Sequence, residues 1–197
     1  AAELDFAKVS IDELVRELSR AGLDNQERQE LFQRLRDSGR IDEYVAKIEE
    51  LAAADPNDPA LQVALGNAYL QKLFGVTSGP EMGTWAFKSD GAFNRALELD
   101  DHNWDARFVK AVSLSNWPAF LGRGPEAIDN FEELLDQQSE VPPRPEFAMT
   151  YLFLGNLHQA NGDTENALKV WREGLAQFPD VEELRNAVAS ASAGAGR

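Results

Sequence analysis

Cysteine is absent from the sequence. That excludes disulfides, thiolate nucleophiles, Cys-ligated zinc, iron–sulfur clusters and paired-thiol redox chemistry, and it leaves the redox compartment open. Histidine is nearly absent, with 2 residues in 197, so a serine nucleophile would have little choice of base. No apolar run approaches the roughly 20 residues needed to span a bilayer, and residues 1–10 carry neither a basic nor an apolar leader region. Positive charge is also in deficit: 34 acidic against 19 basic side chains give a net charge of −15. Such a chain repels polyanions, which disfavours nucleic acid and anionic membranes as partners. What is present, 43% apolar residues in a chain of 197, suffices for one domain with a conventional core. The sequence opens on Ala1 rather than Met, so a lost upstream signal or anchor stays open, as does the choice between cytoplasm and periplasm.

Apolar residues recur with a period near 3.6 almost throughout, and no stretch alternates as a half-buried strand does, so the fold class is all-α. Ser10 with Glu13 forms a capping box, Asp24 precedes Glu27 at the same spacing, and Asp58 offers an N-cap followed by Pro59. Gly22, Gly39 and Gly162 sit where helices should stop. Short polar connections make successive helices antiparallel hairpins.

The hairpins repeat. From Ala148 to Val181 the chain places Tyr151, Leu154, Gly155, His158, Gly162, Ala167, Trp171, Gly174, Leu175 and Pro179 at the spacings of a tetratricopeptide repeat (TPR), and it resembles that family closely. Gly155 and Ala167 are small where the two helices of the unit cross, and Leu154, His158 and Trp171 fill the space around that contact. Residues 25–58 repeat the pattern with Leu31, Leu35, Gly39, Ile48, Leu51 and Pro56, although Phe32 and Tyr44 stand where small residues belong. Residues 59–103 begin with Leu65, Gly66 and Tyr69 and end with Phe93, Ala96, Leu97, Leu99 and Asp100, with about eleven extra residues between the halves. Residues 104–141 supply Ala111, Leu114, Ala127, Phe131, Leu134 and Leu135, with about four extra. The resemblance implies a right-handed superhelical solenoid of four repeats, 25–58, 59–103, 104–141 and 148–181. Its ends would be covered by an N-terminal capping helix within residues 1–24 and a C-terminal one within 182–197, the last few residues frayed. Pro142, Pro143 and Pro145 read as a stiff connection.

Few residues suggest chemistry. His158 falls at an aromatic packing position. His102 lies among Asp100, Asp101, Asn103 and Asp105, a set with metal-ligating atoms, but the repeat puts these residues in a tight turn where Asp and Asn serve as turn and cap residues. Residues 161–165 carry part of a calcium-loop alternation without its downstream bidentate Glu. Gly122 and Gly124 make a turn rather than a phosphate cradle. The expectation is a protein that is not an enzyme, with no catalytic residues, metal or cofactor.

The resemblance implies instead that the first helix of each repeat lines a concave groove that binds extended peptides or helices. Here that groove would present Val63, Asn67 and Gln71, then Phe108, Val112 and Asn116, then Leu152, Asn156 and Gln159. Asn and Gln both donate and accept, so they can pair with a peptide backbone without reading its sequence. The chaperone-binding branch of the family clamps a terminal carboxylate with Lys and Asn one turn apart. Val63 stands where that Lys would precede Asn67, so the clamp is missing, and a neutral or basic protein segment is the natural ligand. The inserts at 73–87 and 117–125 lengthen the turns of adjacent repeats, and Phe74, Trp85, Phe87, Trp117 and Phe120 would gather along one edge. They either bury one another as a satellite core or form an interaction site. The functional expectation is thus a non-enzymatic binding scaffold, with self-association through the inserts into a homo-oligomer as the alternative.

Overall fold

The computed structural model describes residues 5–20 and 25–194. Ten α-helices follow one another among the described residues: α1 (Ile11–Leu18), α2 (Asn25–Asp37), α3 (Ile41–Ala54), α4 (Pro59–Leu73), α5 (Gly79–Leu99), α6 (Trp104–Ser115), α7 (Gly124–Ser139), α8 (Ala148–Ala160), α9 (Thr164–Gln177) and α10 (Glu182–Gly194). Short 3-10 turns at Ala119–Leu121 and Pro145–Phe147 complete the secondary structure, and there is no strand among the described residues. The helix starts follow from their caps. Ser10 accepts a hydrogen bond from the Glu13 amide at 3.2 Å, Asp58 from Ala60 at 2.8 Å and Asp163 from Asn166 at 3.1 Å, each satisfying an amide that the helix itself leaves unpaired. Gly39 and Gly162 end α2 and α8 at φ of 72° and 81°, a conformation that only glycine adopts cheaply. Gly22, Asp24 and the tail 195–197 lie outside the described residues.

Contacts gather into two compact units, Ala1–Ala106 and Arg107–Arg197, divided in the first turn of α6. Chains built from sequential hairpins contact chiefly their sequence neighbours, which is how a single length of chain acquires more than one contact cluster.

In the first unit, Leu14 and Leu18 of α1 are buried with Phe32 and Leu35 of α2, Tyr44 and Ile48 of α3, and Ala68 and Tyr69 of α4. Burying each such leucine stabilises the unit by about 1.5–3 kcal/mol, which holds the apolar face of α1 against α2 and α3. Arg40 fixes the segment before α1 by donating to the carbonyls of Phe6 at 2.9 Å and Val9 at 2.7 Å. The α4–α5 crossing depends on Gly66: a Cβ there would lie 2.6 Å from the Phe93 ring. The other small residue of this crossing is Ser89, fully buried, whose hydroxyl donates to the Gly66 carbonyl at 2.9 Å. Between α2 and α3, where Phe32 and Tyr44 replace small residues, the two rings meet edge to face with centroids 6.0 Å apart. Most of the first insert is not a loop. Ser78 stands at the N-cap position of α5 without a side-chain capping bond, Pro80 occupies its first turn where no amide is needed, and the insert lengthens α5 to 21 residues.

In the second unit, a Cβ at Gly155 of α8 would sit 2.2 Å from Trp171 Nε1 of α9, and the Trp171 indole donates to the Leu152 carbonyl at 3.3 Å. A Cβ at Gly174 of α9 would lie 2.5 Å from the Tyr151 side chain, and Leu184 of α10 is fully buried beside that contact. Phe108, Phe131 and Phe153 join α6, α7 and α8 with centroid separations of 5.6–6.4 Å. Gln138 donates to Thr150 at 2.6 Å between α7 and α8, both buried. Lys110, one residue before the small Ala111, is also buried and pairs with Glu126 at 2.8 Å. Arg123 meets the other Glu126 oxygen at 2.7 Å and lies 4.9 Å over the Trp117 ring. Together these hold the second insert, which does remain a loop, with Gly122 at φ 64° closing its 3-10 turn.

Candidate functional surface

The residues expected to face a ligand fall on α4, α6 and α8, with unequal freedom to bind. On α4, Val63 and Asn67 are partly buried, and the Asn67 amide makes no hydrogen bond among the described residues. Gln71, one turn further, accepts from Arg36 of α2. On α6, the Asn116 amide closes its own helix by donating to the Val112 carbonyl at 2.8 Å. Phe108 spends much of its ring on Phe131 and Phe153, and Val112 is partly exposed. On α8, Leu152 is partly buried, while Asn156 and Gln159 are exposed and their amides make no hydrogen bond among the described residues. Asn67 and Asn156 each follow a crossing glycine, Gly66 and Gly155, so the same packing contact that fixes the helix pair sets the direction of the amide beside it.

The face of α2 went unassigned at the sequence level. Gln26, Gln29, Glu30, Gln33 and Arg36 line an open depression of about 500 Å³. Gln26 donates to Glu30 at 2.9 Å, and the Arg36 guanidinium donates to Gln33 at 2.6 Å as well as to Gln71. In the first unit, the Arg36–Gln71 hydrogen bond therefore ties the amide-rich face of α2 to the end of α4. The signal was available in the sequence, since Gln26, Gln29, Gln33 and Arg36 recur at helical spacing. The groove expected from the resemblance is drawn from α4, α6 and α8, and it does not include this face of the 25–58 repeat, degenerate at Phe32 and Tyr44.

The insert aromatics divide. Trp85 packs on Tyr69 with centroids 5.7 Å apart, under the Lys88 ammonium at 4.7 Å, and belongs to the margin of the first unit's core. Tyr69 in turn donates to Glu49 at 2.8 Å; burial and that carboxylate raise the pKa of its hydroxyl. Trp117 lies beneath Arg123. Phe74, Phe87 and Phe120 instead stand 67%, 56% and 86% exposed.

The two histidines belong to different units. His102 is exposed in the turn before α6, where Asp100 accepts from its backbone amide at 3.2 Å and Asn103 caps the next helix by accepting from Ala106 at 3.0 Å. His158 is mostly buried, 3.7 Å from Asp163. The hydrogen bonds from Asn166 to Asp163 hold that carboxyl below its usual range. No group of three His, Asp or Glu side chains among the described residues could hold a metal ion, and no helix among them is long and apolar enough to cross a membrane.

Antiparallel helix pairs that cross at small residues and pack on their sequence neighbours define the helical-hairpin repeat class. Within that class, solved structures identify the fold as that of tetratricopeptide-repeat proteins. TTC0263, a thermophilic TPR protein of Thermus thermophilus, matches 92% of this chain over 88% of its own, at 18% identity and a TM-score of 0.62. MamA matches 88% over 86% of its own at 16% identity and the same TM-score of 0.62. A Podosopora anserina protein described as a kinesin light chain with nearly identical TPR-like repeats matches 95% over 89% of its own, at 14% identity and a TM-score of 0.64. Identities this low establish the fold alone. No protein-family model and no curated protein matches the sequence.

Proposed function

We propose that this chain is a non-enzymatic scaffold that holds extended segments of a partner protein against the ligand-facing sides of α2 and α4 in the first unit and of α6 and α8 in the second. These helices read as the first members of four repeats, 25–58, 59–103, 104–141 and 148–181, with α1 and α10 as end covers. The observation that carries the reading is the pair Asn67 and Asn156: two amides at one register of two hairpins, neither used by the fold. A primary amide can donate to one peptide group and accept from the next, which suits an extended backbone. With a net charge of −15, long-range attraction favours a segment that is neutral or basic overall. Peptides selected on the whole chain from a random library provide the test. Asn67→Ala and Asn156→Ala are each expected to weaken the peptides that seat on their own unit roughly two- to ten-fold, from a lost hydrogen bond of about 0.5–1.5 kcal/mol, and the double variant to weaken both sets. Unchanged binding by the double variant at an unchanged melting temperature would remove the reading.

A second reading has its own observation, the exposure of Phe74, Phe87 and Phe120. Large aromatics left in water mark contact sites; Phe74 and Phe87 stand exposed on the first unit and Phe120 on the second, and the contact we infer for either is with a second copy of the chain. Light scattering across a concentration series separates the readings: a strict monomer at the highest concentration eliminates self-association.

A further inference from the structure

The proposal that follows rests on the binding surface described above and narrows what that surface takes. Many described cations of this acidic chain have a carboxylate beside them: Arg40 meets Glu43 at 2.7 Å, Arg95 meets Glu98 at 3.0 Å, Arg123 meets Glu126 at 2.7 Å, and Lys72 meets Asp42. Arg36 differs. It lines the depression on α2, and its guanidinium donates to two neutral acceptors, Gln33 of its own helix and Gln71 of α4, with no carboxylate in ion-pair contact among the described residues. The nearest acid along the helix, Asp37, accepts from the Gln33 amide at 2.7 Å instead. Glu30, the acid that lines the depression, is occupied by Gln26 and lies six positions before Arg36, about 9 Å along the helix axis. Glutamine carbonyls orient a guanidinium without neutralising it. Held from two helices, the fork has already lost the rotamer freedom that binding would otherwise cost.

We propose that Arg36 is the anion-recognising point of the α2–α4 surface, and that it takes the side-chain carboxylate of one Asp or Glu within an extended, otherwise neutral or basic partner segment. The planar guanidinium matches a carboxylate in two parallel hydrogen bonds. Gln29, whose amide has no hydrogen bond among the described residues, lies on the same face for the backbone of that segment.

The test selects C-terminally amidated random peptides on the whole chain, so that only side chains can supply a carboxylate. The selected pool is expected to be enriched in Asp or Glu at one position. Changing that residue to its amide should weaken binding about ten-fold on the native chain and leave affinity unchanged on Arg36→Gln, with Arg36→Lys between the two. Thermal melts of both variants establish that they fold. The inference is overturned if no acidic position emerges, or if the acid-to-amide change costs as much on Arg36→Gln as on the native chain. Peptides that need Asn67 but not Arg36 would overturn it while leaving the binding surface standing. A failure to select any binder would remove both.

Discussion

A single methyl group separates two kinds of glycine in this chain. At Gly155 an added Cβ would meet Trp171 at 2.2–2.7 Å, so Gly155→Ala should lower stability by about 1–3 kcal/mol through overpacking, despite a gain in helix propensity. At Gly91, inside α5 and exposed, a Cβ meets nothing within 4 Å, so Gly91→Ala should raise stability by about 0.5–1 kcal/mol. Urea unfolding of the two variants checks both signs. Gly155 was legible in the sequence because it follows Leu154 at the family spacing, whereas Ser89 and Lys110 were not. Ser89 holds the small position of its crossing, but the insert displaces it from the expected register. Lys110 stands where the pattern asks for leucine and makes sense only with Glu126 in view. That pair yields a pH prediction. Burial pushes the Glu126 carboxyl up, but the bonds and charges of Lys110 and Arg123 outweigh it, and the group titrates below its usual range. A carboxyl depressed in the folded state contributes stability above its unfolded pKa, and that stability is lost as pH falls through the lower folded value. Glu126→Gln should therefore cost about 1–2 kcal/mol near neutrality, a buried-pair loss discounted because Glu126 is 38% exposed. It should also flatten the fall in stability between about pH 5 and about pH 3, read from urea midpoints.

Among the elements, the helices and their order could be read directly, because caps such as Ser10 and Asp58 and stops such as Gly39 and Gly162 act within a few residues of the chain. The first insert could not. Its glycines and Pro80 read as a long turn, yet proline is harmless in a first turn, and Trp85 packing on Tyr69 gives the extra turns of α5 a side to bury. The α2 surface is a different case: the 25–58 hairpin is legible from Leu31, Leu35 and Gly39, but its crossing on Phe32 and Tyr44 departs from the family pattern, and its polar face does not enter the groove expected from α4, α6 and α8. End covers lend themselves to a direct test. Leu184 of α10 is fully buried against the Gly174–Tyr151 contact, so Leu184→Ala should cost about 2–5 kcal/mol. If α10 acts as a cover, amide exchange should accelerate first in α10 and α9 and leave α3 and α4 unchanged; uniform acceleration would show that stability is shared across the chain instead.

Over the whole molecule, charge was the property most readable from composition and the partner the least, because recognition depends on a few side chains whose neighbours only the folded chain reveals. A net charge of −15 makes the compact state repel itself, and salt relieves that repulsion over a Debye length of about 8 Å at physiological ionic strength. Salt also weakens the ion pairs, and the balance decides the sign. Several of the observed pairs are solvent-exposed, such as Lys8–Asp5 with 84% and 51% of its side chains in water and Arg95–Glu98 with 42% and 65%; each contributes about 0–1 kcal/mol at most. Self-repulsion should therefore dominate, and the melting temperature should rise from low salt to about 0.15 M sodium chloride. A falling melting temperature would mean that local pairs outweigh the field of the whole chain. The same field sets the salt response of binding. A basic segment drawn in by the overall charge should bind more weakly as salt rises, whereas a segment held chiefly through a carboxylate on Arg36 works against that field and should lose little or gain. Titrating one selected peptide at two salt concentrations therefore weighs the long-range attraction against the single cation.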